Sequence, residues 1–255
     1  MNFIAAGLSD VGLQREHNED SFCILPEHRL FVVADGMGGH RAGDVASQMA
    51  THTIAGFFQA TAKEDFTWPF NYDPSLTTDE NRLVTGIKLA NRKIHEAGHR
   101  HHETHGMGTT IVTALFARHS NRLYVAHVGD SRCYRIRDGK IDQITRDHSL
   151  LNDYLLLMPH LTDAQKDELP KNVITRALGM QDSVNVDLVP IEPKPGDYYL
   201  LCSDGLSGMI DDPDILQLVV SGGNDVEGSA RALVHRANEN GGDDNITVVL
   251  VLFTA

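Results

Sequence analysis

Four carboxylate positions carry the chemistry available to this sequence. Asp35 follows the apolar run Leu30 to Ala34 and opens Asp35-Gly36-Met37-Gly38-Gly39-His40. Asp130 follows Leu123 to Val128 in Gly129-Asp130-Ser131-Arg132, and Asp204 follows Tyr198 to Cys202 in Ser203-Asp204-Gly205. Asp243-Asp244-Asn245 immediately precedes the apolar run Ile246 to Phe253. If these strand ends share one edge, the carboxylates converge, and converging like charges bind protons or a cation. Oxygen donors without a Cys or His set favour Mg²⁺ or Mn²⁺ over zinc. The glycines beside Asp35 and Asp204 let backbone approach a ligand closely. Taken singly, each Asp-Gly is also an ordinary turn dipeptide. The weight lies in several of them flanking apolar strands. A further element, Arg15-Glu16-His17-Asn18-Glu19-Asp20, adds acids and a guanidinium able to grip a phosphate bidentately.

Strands must position these acids. The sequence predicts them at Leu30 to Ala34, Thr109 to Ala117, Arg122 to Val128, Cys133 to Arg137, Lys140 to Thr145, Tyr198 to Cys202 and Ile246 to Phe253. Asp138-Gly139 between two of them reads as a tight hairpin turn. Val45, Met49, Thr53 and Phe57, with Ala46, Ala50, Ile54 and Phe58, give one helical face, and Leu83, Ile87, Ala90, Ile94 and Ala97 give a second. Later helices are expected near Asp214 to Val220 and Val226 to Asn240. Shorter helical patterns fall around Leu150 to Leu157 and Asp163 to Leu169. Strands, two helices, a run of strands, then strand, helices and strand do not form a regular βαβ alternation. The order suits an α+β fold with helices on the outer faces of mostly antiparallel sheets.

The chain has 255 residues, with 22 Lys plus Arg against 35 Asp plus Glu, a formal net charge of −13. A hydrophobic share of 41% excludes a disordered chain, and the length suits one large domain. The acidic balance and the lack of basic clusters argue against nucleic acid and anionic membranes as partners. No apolar run approaches a membrane span, and the N-terminus has no signal-peptide pattern. Three cysteines without a C-x-x-C point to a reducing cytoplasm.

Several motifs together resemble the metal-dependent protein phosphatase family, type 2C, in its compact bacterial branch. They are Arg15-x-x-Asn18-Glu19-Asp20, Val33-Ala34-Asp35-Gly36-Met37-Gly38-Gly39-His40, Gly108-Thr109-Thr110, Val128-Gly129-Asp130-Ser131-Arg132, Ile174-Thr175-Arg176-Ala177-Leu178-Gly179, Cys202-Ser203-Asp204-Gly205-Leu206 and Asp243-Asp244-Asn245-Ile246-Thr247. The resemblance implies a central antiparallel β-sandwich flanked by pairs of helices, a four-layer α-β-β-α domain over residues 1–255. A small flap subdomain would occupy about 146–176. It implies two core Mn²⁺ or Mg²⁺ ions and a weaker third site, and hydrolysis of phosphoserine and phosphothreonine in proteins by a metal-bridging hydroxide. Carried over by position, Asp35 would bridge the two ions and Gly36 would offer its carbonyl. Asp204 and Asp244 would be ligands, and Glu19 would act through metal-bound water. Asp130 with Asp204 would hold the third ion, and Arg15 would hold the substrate phosphate. The partners implied are phosphorylated proteins and a bacterial Ser/Thr kinase, met by a cytoplasmic monomer. One departure stands out: some family members have a His, proposed as general acid, where this chain has Met37. His40 is not the matching position.

Two other readings compete. One is a catalytically silent phosphoprotein-binding module on the same fold, which the presence of every expected acid disfavours. The other is a hydrolase of small phosphoesters. No cysteine is read as a phosphatase nucleophile, and neither Asp35 nor Asp204 sits in a D-x-D-x-T motif. His95, His99, His101, His102 and His105 cluster near one helix end, where a transition-metal site is conceivable but a solvated helix end is the plainer reading. Tyr154 to Met158 reads as a short helix packed on the sandwich, with partner contact as the alternative.

Overall fold

The computed structural model describes residues 2–38, 42–62, 66–100, 102–158, 160–162, 165, 169–170 and 173–254, with the His102 side chain left out. In chain order the strands are β1 (Phe3–Asp10), β2 (Asp20–Leu25), β3 (Leu30–Met37), β4 (Gly108–Thr109), β5 (Ile111–Phe116), β6 (Leu123–Val128), β7 (Arg132–Arg137), β8 (Lys140–Gln143), β9 (Asp187–Ile191), β10 (Tyr198–Cys202) and β11 (Ile246–Phe253). The helices are α1 (Ala42–Ala60), α2 (Thr78–Arg100), α3 (Leu150–Leu157), α4 (Asp204–Ser207), α5 (Asp212–Gly222) and α6 (Val226–Glu239). Most of the expected helix over Asp163 to Leu169 (163, 164 and 166–168), with His40 and His101, lies outside the described residues.

One sheet has the order β1-β11-β10-β7-β8 and the other β2-β3-β5-β6-β9, with β4 paired to the end of β3. The pairing is antiparallel throughout, and β1 lies against β11 over its full length, from Phe3↔Phe253 to Asp10↔Ile246. Side-chain alternation along each strand then builds three apolar layers. In β3, Phe31 and Val33 face the β1-β11-β10-β7-β8 sheet, whereas Leu30, Val32 and Ala34 face α1 and α2. In β11, Val249, Val251 and Phe253 point between the sheets, and Val248, Leu250 and Leu252 face α5 and α6. The result is the four-layer α-β-β-α arrangement, helices outside and sheets within.

Local chemistry starts and stops the elements. Thr77 and Glu80 form a reciprocal capping box at α2, with the Thr77 N–H donating to Glu80 Oε2 at 2.8 Å. Asp211 and Asp225 cap α5 and α6. Asp138 and Gly139 both adopt positive φ, 51° and 70°, as a tight two-residue hairpin requires. On α1 the stripe Ala46, Ala50, Ile54 and Phe58 is buried, while Val45 is 40% exposed, so the apolar face is narrower than its sequence suggests. The helix α3 has no buried residue, and Leu156 and Leu157 are exposed rather than packed on the sandwich. Among the described residues no helix is long and apolar enough to cross a membrane.

Phe116 anchors the middle layer. Its ring stacks on Phe3 and Phe253 at 5.7 and 5.6 Å between centroids and meets Phe31 and Tyr199 edge-on. Truncation to alanine leaves a cavity that close-packed sheets cannot collapse, so Phe116→Ala is expected to cost about 3–5 kcal/mol. Urea denaturation followed by circular dichroism measures this.

Candidate metal centre

The alternation that builds the middle layer also places the acids. Asp20 and Asp35 are paired across β2 and β3, and both continue the inner faces of those strands, in step with Phe22, Ile24, Phe31 and Val33. Ser203 and Thr247 continue the inner faces of β10 and β11 in the same way. The two sheets therefore open onto one polar mouth at the end of the sandwich. Across it, Ser203 Oγ donates to Asp20 Oδ2 at 2.7 Å, and the Thr247 N–H donates to Ser203 Oγ at 2.9 Å.

Each remaining acid reaches this mouth by its own device. Asp35 sits within β3, which runs on to Met37 because Gly36 and Met37 pair with β4. Its carbonyl accepts from the Thr110 N–H and from Thr109 Oγ1, both at 2.8 Å. Gly36 is pressed between two backbones: a Cβ there would lie 2.1 Å from the Gly43 carbonyl oxygen and 2.5 Å from that of Glu19. Glu19 is held by its main chain, whose N–H donates to Asn245 Oδ1 at 2.7 Å and whose carbonyl accepts from Gly36 at 3.1 Å. Asp204 is the first residue of α4, directly after β10. Asp244 lies just before β11 and accepts from Arg15 Nη2 at 2.7 Å. Asp130 lies in the turn between β6 and β7.

The electrostatics agree with the geometry. Burial pushes the Asp35 carboxyl well above the ordinary carboxylate range, and Asp20, Asp204, Asp130 and Asp244 push it further. Burial also raises Asp130 to about 7, with Asp204 adding to it. Asp204 is raised by burial and by Asp244, against a hydrogen bond shared with Asp35 that needs a proton on one of the two. Glu19 is raised by burial, and Arg15 partly offsets this. Arg15 is the cation that ion-pairs within this group among the described residues. Asp20 Oδ1 and Asp130 Oδ1 are buried without a hydrogen-bond partner among the described residues. Orphaned carboxylate oxygens in a surplus of negative charge are the donor set of a hard divalent cation, and the site fits Mn²⁺ or Mg²⁺.

Asp20 is the site residue to which sequence reasoning gave no role. It is buried, and its carboxyl is raised to about 7 by burial, against lowering hydrogen bonds from Ser203 and Thr247. The signal was available: Asp20, Phe22 and Ile24 alternate along a strand that had not been recognised as one. The other sequence candidates fall elsewhere. Cys23 and Arg29 have the C-x5-R spacing of a cysteine phosphatase loop, against the expectation that no cysteine here has an Arg six residues later. Yet Cys23 lies in mid-strand with its thiol raised by burial, and Arg29 donates to the Ala117 carbonyl at 3.1 Å. They form no phosphate loop. His95 contacts the Gly179 carbonyl at 3.1 Å and His99 the His95 carbonyl at 2.8 Å, so both use ring nitrogens on backbone.

The family model for protein phosphatase 2C matches residues 14–250. Serine/threonine phosphatase stp of Listeria innocua is 34% identical over 251 residues, 95% of this chain and 93% of that one. Protein phosphatase PhpP of Streptococcus pneumoniae is 36% identical over 248 residues, 96% and 95% of the two chains. The Mycobacterium tuberculosis serine/threonine phosphatase PstP/Ppp superposes with a TM-score of 0.84 at 35% identity, covering 99% of both chains. A structure of the PstP catalytic domain in complex with two manganese ions gives 0.82 over the same coverage. The chain belongs to the protein phosphatase 2C family. It is a metal-dependent protein serine/threonine phosphatase of bacterial type, with Mn²⁺ or Mg²⁺ as cofactor.

The raised carboxyls have a thermodynamic consequence. Without metal, these carboxyls bind more protons in the folded protein than in the unfolded chain between about pH 4 and pH 7, so their contribution to stability falls as pH rises through that window, against a smaller opposite contribution from the lowered His28, His127 and His148. Metal competes with those protons and binds better as they leave. The Tm of the metal-free protein is expected to drop from pH 5 to pH 8, and Mn²⁺ should raise it by more at pH 8 than at pH 6. Differential scanning fluorimetry tests this, and equal metal-induced shifts at both pH values would contradict it.

Proposed function

We propose that this chain acts in the bacterial cytoplasm as a monomeric phosphatase of a single domain, reversing the work of a Ser/Thr protein kinase on that kinase and its targets. The observation that carries the site assignment is the convergence of Glu19, Asp35, Asp130, Asp204 and Asp244 on one mouth, with Arg15 at its rim. Asp35, with the Gly36 carbonyl, Asp204 and Asp244, would hold the two core cations. Glu19 would orient solvent beside them, and Asp130 with Asp204 would hold a third. Bound there, divalent cations lower the pKa of water and offset charge on the transferring phosphoryl group.

The chain's own residues complete the site. Arg15 is 53% exposed, and its Nη2 already grips a carboxylate oxygen of Asp244, so the guanidinium is presented where a phosphate dianion would arrive. Met37 ends β3 with its side chain over Gly108 and has no proton to give. The leaving alkoxide must then take its proton from solvent or from another group. Residues of about 146–176, which carry the exposed helix α3, are assigned as the flap beside the mouth.

Purified protein assayed on an autophosphorylated Ser/Thr kinase, with and without Mn²⁺, tests the reading. Asp35→Asn, Asp204→Asn and Asp244→Asn are each expected to lower activity about 100-fold or more, since even indirect metal supports cost 10–100-fold. Full activity in variants that have lost metal would sink the assignment. Arg15→Ala should raise KM for phosphopeptide more than it lowers kcat, and unchanged values of both would remove Arg15 from the site. A preference for p-nitrophenyl phosphate over a phosphothreonine peptide would favour small phosphoesters instead.

A further inference from the structure

Asp130 is held differently from the other acids. Its turn is gripped from both sides by the adjacent residues Asp147 and His148. Arg132, just after the turn, makes a forked ion pair with Asp147, from Nε at 3.1 Å to both oxygens and from Nη2 at 2.7 Å. Gly129, just before Asp130, is bonded at both of its polar groups to one residue. The His148 N–H donates to the Gly129 carbonyl at 2.9 Å, and the Gly129 N–H donates to His148 Nδ1 at 3.0 Å. Gly129 has φ +111°, and a Cβ there would lie 2.6 Å from Thr110 Cβ, so no side chain can share this turn.

The hydrogen bond from Gly129 fixes the role of one imidazole nitrogen. A backbone N–H only donates, so His148 Nδ1 accepts here through its lone pair. The other ring nitrogen, Nε2, lies 3.0 Å from Arg176 Nη1 and 3.3 Å from Asp187 Oδ2, while Asp187 Oδ1 accepts from Arg176 Nη1 at 2.6 Å. On the other side the ring stacks on His127, centroids 4.7 Å apart and planes 9° from parallel. His127, His148 and Asp187 do bring one donor atom each within 4.8 Å of one another. They do not suit a metal. Lone pairs of stacked, parallel rings lie in separate planes and cannot meet at one ion, and the Arg176 guanidinium already stands against both His148 and Asp187.

We propose that His148 is a positioning residue for the phosphatase reaction: through Nδ1 it fixes the Gly129–Asp130 peptide, and with it the direction in which the Asp130 carboxylate enters the metal centre. The inference rests on the assignment of Asp130 to a third cation.

Two near-isosteric substitutions separate the ring nitrogens. In His148→Asn the amide oxygen can stand where Nδ1 stands, and in His148→Gln it reaches the place of Nε2. The full chain is measured as wild type and both variants: Gly129 amide exchange by NMR in Mg²⁺, Mn²⁺ binding by calorimetry, and kcat against Mn²⁺ concentration. Asn is expected to keep the slow Gly129 amide and the weakest class of Mn²⁺. Gln should speed Gly129 exchange and weaken that class about tenfold, with the two tight ions and the melting temperature unchanged and kcat recovered at high Mn²⁺. Indistinguishable Asn and Gln variants would overturn the proposal. If wild type binds only two ions, the third-site assignment fails, and positioning is then decided by Gly129 exchange and kcat: Asn above Gln supports it, equality refutes it.

Discussion

The structure depends on the repulsion among carboxylates at the mouth of the sandwich. Asp20 and Asp35 face each other across two paired strands, Asp204 and Asp244 come from the opposite sheet, and burial removes most of the water that would screen them. A fold that gathers such groups must either neutralise them with protons or bind cations. The protein is built for the second outcome and tolerates the first. The hydrogen bonds at the site accordingly serve mainly to hold main chain: Asn245 ties together the loops of Val11, His17 and Glu19, and Thr109 and Thr110 tie down Asp35. The carboxylates are aimed by the peptides that carry them.

The sandwich supplies the rigidity that this aiming needs. Each strand reaches the mouth with one face already committed to an apolar layer, so the next residue along has no freedom to turn away. Phe31 and Val33 fix Asp35, and Tyr199 and Leu201 fix Ser203 beside Asp204. A register slip of one residue would move an acid from the mouth to the helix side and lose both packing and site. Apolar burial and the charged centre are thus specified by the same alternation.

Much of this was legible in the sequence, and the gaps have physical reasons. The buried central strands stand out as apolar β-branched runs ending in Asp, which is why Asp35, Asp130 and Asp204 could be picked at once. β1 is harder, because Ala5, Ala6 and Gly7 have little strand propensity and its pairing is with residues at the far end of the chain. β9 contains Pro190, which argues against a strand unless the strand is at an edge, as this one is. Missing β2 hid Asp20, since only its strand phase shows that it shares a face with Asp35. The clamp of His148 on Gly129 was out of reach altogether, because it joins residues 19 positions apart through a turn geometry that no local pattern encodes. The exposure of α3 could not be foreseen either, since apolar content alone does not say whether a short helix finds a surface to cover.

The pairing of β1 with β11 sets a limit on when the enzyme can exist. Arg15 and Glu19 are made long before Asp244 and the strand that closes the first sheet. A nascent chain can collapse α1 and α2 onto the β2-β3-β5-β6-β9 sheet, but it lacks the central partner of β1 and β10 until β11 clears the ribosome. Until then the early acids have no opposite wall. The chain is therefore catalytically silent until β11 has been made, and loss of that strand removes the centre as surely as loss of an aspartate.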